Sequence, residues 1–438
     1  MHRIVIVGGG AGGLELATYL GNQLGRRRRN SKADISLVDT QSTYLWKPLL
    51  HEIAAGSIDL SRNQLAYAAQ AFWHGFSFHQ GTCIGLNRTM RSITISPVLD
   101  ELGEECLPQR TLHYDTLVLA IGSITNFFNI PGAQESSFAL DNASQAEHFR
   151  RRLISECQKM DQGLTKKPLH IVIVGAGATG VELAAELRNT VHDLSAYGLH
   201  NLDGQQSVAI SLVEAASRIL PALPERASQT TAKLLKKLSI DINANEAVSK
   251  IEKHRVHLKS GKSLEANLIV WAAGIKAPPI LAKLDGLELN RNGQMLVHPT
   301  LQSVTDPNIF GLGDCTSCPW LGNEVNGQIQ SVPPRAQAAH QQAGFLASAI
   351  KRHLKGQSLK NYKYRDLGSL ISLGHFSAVG NLKGGTTKNF IIRGWIARIM
   401  YFSLYRMHLV ALHGWVSMIL DTLGHWFARS TRPRIKWH

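Results

Sequence analysis

Two short glycine runs carry the first chemistry that can be read from the chain. Gly8-Gly9-Gly10-Ala11-Gly12-Gly13 follows the short β-branched run 3–7, and Gly175-Ala176-Gly177-Ala178-Thr179-Gly180 follows residues 170–174. Both fit G-x-G-x-x-G between a strand and a helix, where backbone N–H groups and the positive helix end approach a pyrophosphate that a Cβ would hold away. Each run is followed by a strand that ends in an acid, Asp39 or Glu214, placed to accept a ribose hydroxyl. The spacing from glycine to acid exceeds the usual ~20 residues, and polar inserts at 21–32 and 197–206 account for the difference. Glu214 would welcome a free 2′-hydroxyl and repel a 2′-phosphate, so the second site is expected to take NADH rather than NADPH. Arg218 either softens that preference or is an exposed helix residue.

The loops need elements to position them. Residues 14–20 and 181–191 read as the helices, and 34–39 and 208–214 as the second strands, giving the same βαβ unit twice. Each half closes alike, with the strand and turn 114–123 in the first and 268–275 in the second. A later strand and turn, 308–314, looks like a return of the chain to the first domain. The expected fold is α/β, with two Rossmann-like dinucleotide-binding domains and a C-terminal membrane-associating region. The boundaries are expected at 1–141, 142–280, 281–354 and 355–438. A chain of 438 residues is long enough for two or three cores, and 44% hydrophobic against 18% charged residues excludes a disordered polymer. Five cysteines do not suggest a disulfide framework, and Met1-His2-Arg3-Ile4 leads straight into a strand without a signal peptide. A reducing compartment on the cytoplasmic side is expected.

The formal charge of +15 favours anionic partners. Between 388 and 438 the basic residues Lys388, Arg393, Arg398, Arg406, Arg429, Arg432, Arg434 and Lys436 face one acid, Asp421. A second cluster, 26–29, reads as a solvated loop. Apolar stretches at 399–405 and 409–420 fall short of the ~18 residues that span a bilayer. Arg393, Arg398 and Arg406 recur among Trp395, Ile396, Ile399, Met400, Phe402, Leu404 and Leu409, a pattern suited to a helix in the headgroup plane of an anionic lipid surface. The alternative is that the tail caps the core or a homodimer interface. No nucleic-acid recognition motif accompanies the charge, so no nucleic-acid partner is expected.

Together these motifs resemble the two-dinucleotide-binding-domain flavoproteins, and most closely the type II NADH:quinone oxidoreductases, or alternative NADH dehydrogenases. The resemblance runs nearly the full length: the two glycine units, Trp46-Lys47-Pro48-Leu49-Leu50-His51-Glu52, Ala120-Ile121-Gly122-Ser123, Trp271-Ala272-Ala273-Gly274-Ile275, Gly313-Asp314-Cys315, the stretch 333–341 and Tyr405-Arg406-Met407-His408. It implies FAD at Gly8, Gly9, Gly10, Ala11, Gly12, Gly13, Asp39, Lys47, Ala120, Gly122 and Asp314. It implies NADH, as substrate, at Gly175, Gly177, Thr179, Gly180, Glu214, Ala273 and Gly274. Glu182 would lie near nicotinamide and flavin, although it could merely satisfy the helix N-terminus. Gln337 and His340 would lie near the isoalloxazine and a quinone pocket, or be ordinary surface residues.

The implied activity is a respiratory one: hydride passes from NADH to FAD, then two electrons pass to a membrane quinone without proton pumping, on a peripheral membrane protein. Disulfide reductases of this fold carry C-x-x-x-x-C beside the flavin, where this chain reads Ser42-Thr43-Tyr44-Leu45-Trp46-Lys47-Pro48. The same lack argues against sulfide:quinone oxidoreductase. Cys315-Thr316-Ser317-Cys318 could bind a soft metal or form a redox pair, but with no second pair nearby it is expected to be structural or incidental, and no metal site is assigned. The rival readings are a basic flavoprotein acting as a binding or signalling module, and a soluble NADH-dependent reductase of another acceptor such as a metal ion.

Overall fold

The structure, a computed structural model, describes residues 1–26, 31–165, 167–196, 199, 206–374, 377–383, 389–393 and 395–428. The insert at 197–206 and the cluster at 26–29 therefore lie largely outside the described residues, as do the last ten residues. Backbone contacts divide the chain into two compact units, 1–46 with 64–124 and 276–365, and 47–63 with 125–275 and 366–438. Two features differ from the expected boundaries: residues 47–63 group with the second unit, and the tail is not a unit of its own.

The first unit is built on a five-stranded parallel sheet ordered Ile309–Gly311, Thr116–Leu119, His2–Val7, Ala33–Asp39, Ser77–Gln80. The first strand in sequence is the middle one, so the strand order reverses there and leaves a crevice at its carboxyl end. The β-branched run Ile4 to Val7 is buried, as a strand covered on both faces requires. Helix Ala11–Leu24 packs on the sheet and on helix Ala336–His353 and buries Leu14, Leu16 and Leu20, and each such side chain contributes roughly 1.5–3 kcal/mol on burial. The late strand Ile309–Gly311 pairs with Thr116–Leu119, so residues 308–314 do return to the first sheet.

The second unit repeats this plan with four parallel strands ordered Ile240–Ala244, Val208–Glu214, Leu169–Val174, Leu268–Trp271, and a helix Ala178–Ala196 after the second glycine run. Each unit also carries a three-stranded antiparallel sheet between its second and closing parallel strands. Short helix Leu50–Ala55 packs on helices Ala143–Asp161 and Ala178–Ala196.

The tail departs from the expected amphipathic segment. Strands Gly368–Leu373, Ser377–Lys383 and Asn389–Arg393 form an antiparallel three-stranded sheet, and only then comes helix Trp395–Ala428. Gly414, at φ 79° and ψ 171°, breaks that helix. The helix packs on the tail sheet, and His408, Leu409 and Leu412, all before the break, are buried. The side chains of Arg393, Trp395, Ile396, Arg398, Ile399, Phe402 and Leu404 lie outside the described residues. No described helix is long and apolar enough to cross a membrane.

Candidate dinucleotide sites

The two glycine loops are built alike down to single hydrogen bonds. Gly8 N donates to Val38 O and Gly175 N to Val213 O, both at 2.8 Å. Ala120 N donates to Val7 O at 2.7 Å, and its counterpart Ala272 N donates to Val174 O at 2.8 Å. The helices open with Leu14 N to Gly10 O at 3.0 Å and Val181 N to Gly177 O at 3.1 Å.

The glycines divide by role. A Cβ on Gly8 would collide with the Ala120 carbonyl, and one on Gly175 with the backbone of Ala272 and Ala273; both residues have φ near +100°. A Cβ on Gly13 would meet the Gly8 carbonyl, and one on Gly180 the Gly175 carbonyl. Gly10 and Gly177, by contrast, face open space, as does Gly122. Close packing at the first and third glycine and clearance at the second is the steric pattern a pyrophosphate on the loop requires. The residues therefore fit a dinucleotide in each unit.

Each acid is tied to its own loop. Asp39 accepts from Gly9 N at 2.6 Å and Gln41 N at 2.8 Å, while Glu214 accepts from Ala176 N at 2.8 Å and Ala216 N at 2.9 Å. Arg218 donates to the carbonyls of Leu220 and Pro221, so its guanidinium is held by a local turn. Thr179 is exposed near the start of its helix, and Gly274, at φ 72°, turns where a Cβ would strike the Phe128 ring. Ala273 O accepts from Trp271 Nε1 at 2.8 Å. Lys47 is exposed at the head of the turn Lys47–Leu49, in the segment that groups with the second unit.

The rest of the first site gathers on the Gly-Asp turn. Ser123 Oγ donates to Asp314 Oδ2 at 2.8 Å, and Gly313 N donates to Gln342 Oε1 at 2.7 Å. Gln342 belongs to helix Ala336–His353, whose Ala339 crowds Gly12, where a Cβ would collide with the Leu312 side chain. On this helix Gln337 accepts from Tyr364 OH at 2.8 Å. His340 Nδ1 lies 2.8 Å and 2.9 Å from the two carboxyl oxygens of Glu15, a fully buried acid that also accepts from Tyr19 OH at 2.7 Å. The Glu15 contact draws the His340 pKa upward. Neither Gln337 nor His340 is an unpartnered surface residue.

Glu182 is buried in the second unit, and burial, with Glu52 and Glu186 nearby, pushes its carboxyl up to about 8. His51 Nδ1 is 3.8 Å from Glu182 Oε2, and burial pushes the imidazole down to about 4. Around neutral pH both groups are therefore uncharged, and their approach is not an ion pair. Cys315 and Cys318 are buried, and burial pushes both thiols up to about 12, so neither is a ready thiolate nucleophile at neutral pH.

Sequence reasoning passed over Glu15, Ser123, Gln342 and the partnership of His51 with Glu182. A charged residue inside Leu14-Glu15-Leu16-Ala17 and a histidine inside Leu49-Leu50-His51 were the available signals.

Residues 2–343 match the family described as pyridine nucleotide-disulphide oxidoreductase, and the duplicated nucleotide fold places the chain in that class. The sulfide:quinone oxidoreductase of Aquifex aeolicus shares the fold, with a TM-score of 0.73 at 19% identity over 94% of this chain and 92% of that one. A nearer likeness is the structure of NDH2 from Plasmodium falciparum in complex with NADH, with a TM-score of 0.81 at 20% identity over 99% and 100% of the two chains. In sequence the chain is 41% identical to a type II NADH:quinone oxidoreductase of Haemophilus influenzae, over the full length of both. The chain belongs to the type II NADH:quinone oxidoreductases.

Proposed function

We propose that this protein oxidises NADH and reduces a membrane quinone through FAD. The observation that carries this reading is the duplicated glycine loop with its loop-bound acid, in a chain that matches a type II NADH:quinone oxidoreductase end to end. In balance, NADH, one proton and the quinone give NAD⁺ and the quinol. FAD, when bound, supplies the two-electron relay between them. Gly8 to Gly13, Asp39, Ala120, Gly122 and Asp314 hold it, with Ser123 orienting Asp314; Lys47 belongs to this set by resemblance alone. Gly175, Gly177, Thr179, Gly180, Glu214, Ala273 and Gly274 hold NADH. Glu182 stands beside the nicotinamide, and Gln337 and His340 serve the side that passes electrons to quinone. No proton-pumping step is needed.

The membrane is the proposed location, reached peripherally on its cytoplasmic face. Trp415, Val416, Ile419, Leu420 and Leu423 are exposed on the helix after Gly414, and four basic residues follow at 429–436. Apolar side chains beside excess positive charge fit an anionic lipid surface, with no nucleic acid involved. A homodimer is compatible with this arrangement. The decisive experiment is turnover by purified yellow protein: rapid NADH oxidation only when a quinone is supplied supports the reading. Equal rates with ferric ion alone would favour the reductase of another acceptor. Single-turnover kinetics test the helix Ala336–His353. Gln337→Leu or His340→Leu should slow reoxidation by quinone about tenfold or more while flavin reduction by NADH changes little, and equal losses in both would place these residues elsewhere.

A further inference from the structure

Glu182, Glu186 and Asn189 lie on one face of helix Ala178–Ala196, and all three are buried. What covers them includes a strand of the tail. Ser372 N, in Gly368–Leu373, donates to Glu182 Oε1 at 3.0 Å. Just beyond, Gly374 adopts φ +59° and sits so close to the helix that a Cβ would collide with Asn189 Nδ2 and Glu186 Oε2. Asn189 Nδ2 in turn donates to Glu186 Oε2 at 3.2 Å. The tail strand is thus seated main chain against side chain on the acidic face of the helix.

We propose that strand Gly368–Leu373 and the Gly374 turn are positioning elements for Glu182, closing its carboxyl off from water and holding Oε1 while Oε2 faces His51. The seating of the tail then governs the proton on this side chain. Among the described residues, the ionisable groups facing the carboxyl are His51 and Glu52 from helix Leu50–Ala55 and Glu186 from its own helix; the strand contributes the Ser372 N–H. Burial, the largest influence, and the two neighbouring acids favour the neutral form, while the Ser372 N–H favours the charged one. Lifting the strand admits water and lowers the proton affinity. Removing only the N–H raises it. The proposal rests on the functional reading only for its kinetic consequence, since that reading puts Glu182 beside the nicotinamide.

The test is an infrared titration of carboxyl groups in full-length, FAD-loaded protein, with Glu182→Gln identifying the band. Gly374→Ala should lower the midpoint by at least a unit, a tenfold loss of proton affinity. Asn189→Ala, which removes the amide beneath the turn without straining the backbone, should shift it the same way if the glycine variant does not fold. Ser372→Pro, on the edge strand of its sheet, should hold the midpoint at or above the wild-type value. An unchanged midpoint in the glycine or asparagine variant overturns the proposal. The pH profile of flavin reduction by NADH, measured on the same samples, should follow the midpoint. A midpoint that moves under an unmoved profile supports the seating and removes only Glu182's place at the nicotinamide.

Discussion

Glu214 spends one carboxylate oxygen on Ala176 N and the other on Ala216 N, so it shapes the loop; under the proposed function its carboxyl would also meet the ribose and disfavour a 2′-phosphate. Glu214→Ala should raise the ratio of NADPH to NADH turnover about tenfold and also raise the KM for NADH, because Ala176 loses its acceptor. A wild type that already prefers NADPH would refute the assignment. Glu182 and His51 bear on stability with opposite signs. The Glu182 pKa is raised from the usual 4.5 to about 8, so between those values the unfolded chain releases a proton that the folded one keeps, and stability falls as pH rises. The His51 pKa is lowered from 6.5 to about 4, so stability falls as pH drops through that window. The melting-temperature gain of Glu182→Gln over wild type should therefore grow from pH 5 to pH 8, and that of His51→Asn from pH 6.5 to pH 4. Flat differences would show that these groups are not held neutral. The acid at the end of each second strand was legible because its effect is local in sequence. Glu15 with His340, and His51 with Glu182, were not, because each pair joins residues far apart in the chain.

At the scale of the element, the loops were legible for a steric reason: glycine is the residue that satisfies both a left-handed backbone and a contact too close for Cβ. The structure adds that the glycines are not equivalent. Gly10→Val points a side chain into open space, and Gly13→Val drives one into the Gly8 carbonyl. The first variant should fold with wild-type circular dichroism yet lose its yellow colour. The second should lose about 3 kcal/mol or more, or fail to accumulate. If both variants fold and both bind FAD, the loop is not the cradle described. The tail sheet escaped sequence reading because Gly374 and Gly380 interrupt a short apolar run whose burial alternates only at Ile371 and Leu373. Such a segment gives a weak strand signal until its partners are known.

At the scale of the whole molecule, the tail helix has two parts, divided at Gly414. It packs on the tail sheet and buries Leu409 and Leu412 before Gly414, so deleting the helix would uncover that sheet and confuse anchoring with folding. Beyond the break, Trp415, Val416 and Leu420 are 67%, 73% and 64% exposed, with Ile419 and Leu423 beside them. Residues spaced by four recur on one helix face, so Trp415, Ile419 and Leu423 form a stripe with Val416 and Leu420 along its edge. Apolar burial of this stripe would add to an attraction of about 1 kcal/mol for each basic residue near an anionic surface, and Arg429, Arg432, Arg434 and Lys436 follow at once. Trp415→Ser, Ile419→Ser and Leu423→Ser combined should leave a folded, yellow protein that no longer sediments with anionic vesicles. Oxidation of NADH by a water-soluble quinone should persist in this variant while oxidation by a long-chain quinone falls at least tenfold. High salt should weaken wild-type binding without abolishing it, because the apolar part is not screened. Undiminished sedimentation of the triple variant would exclude this face as the anchor, and conversion of a wild-type dimer to a monomer would assign the stripe to a second copy of the chain instead.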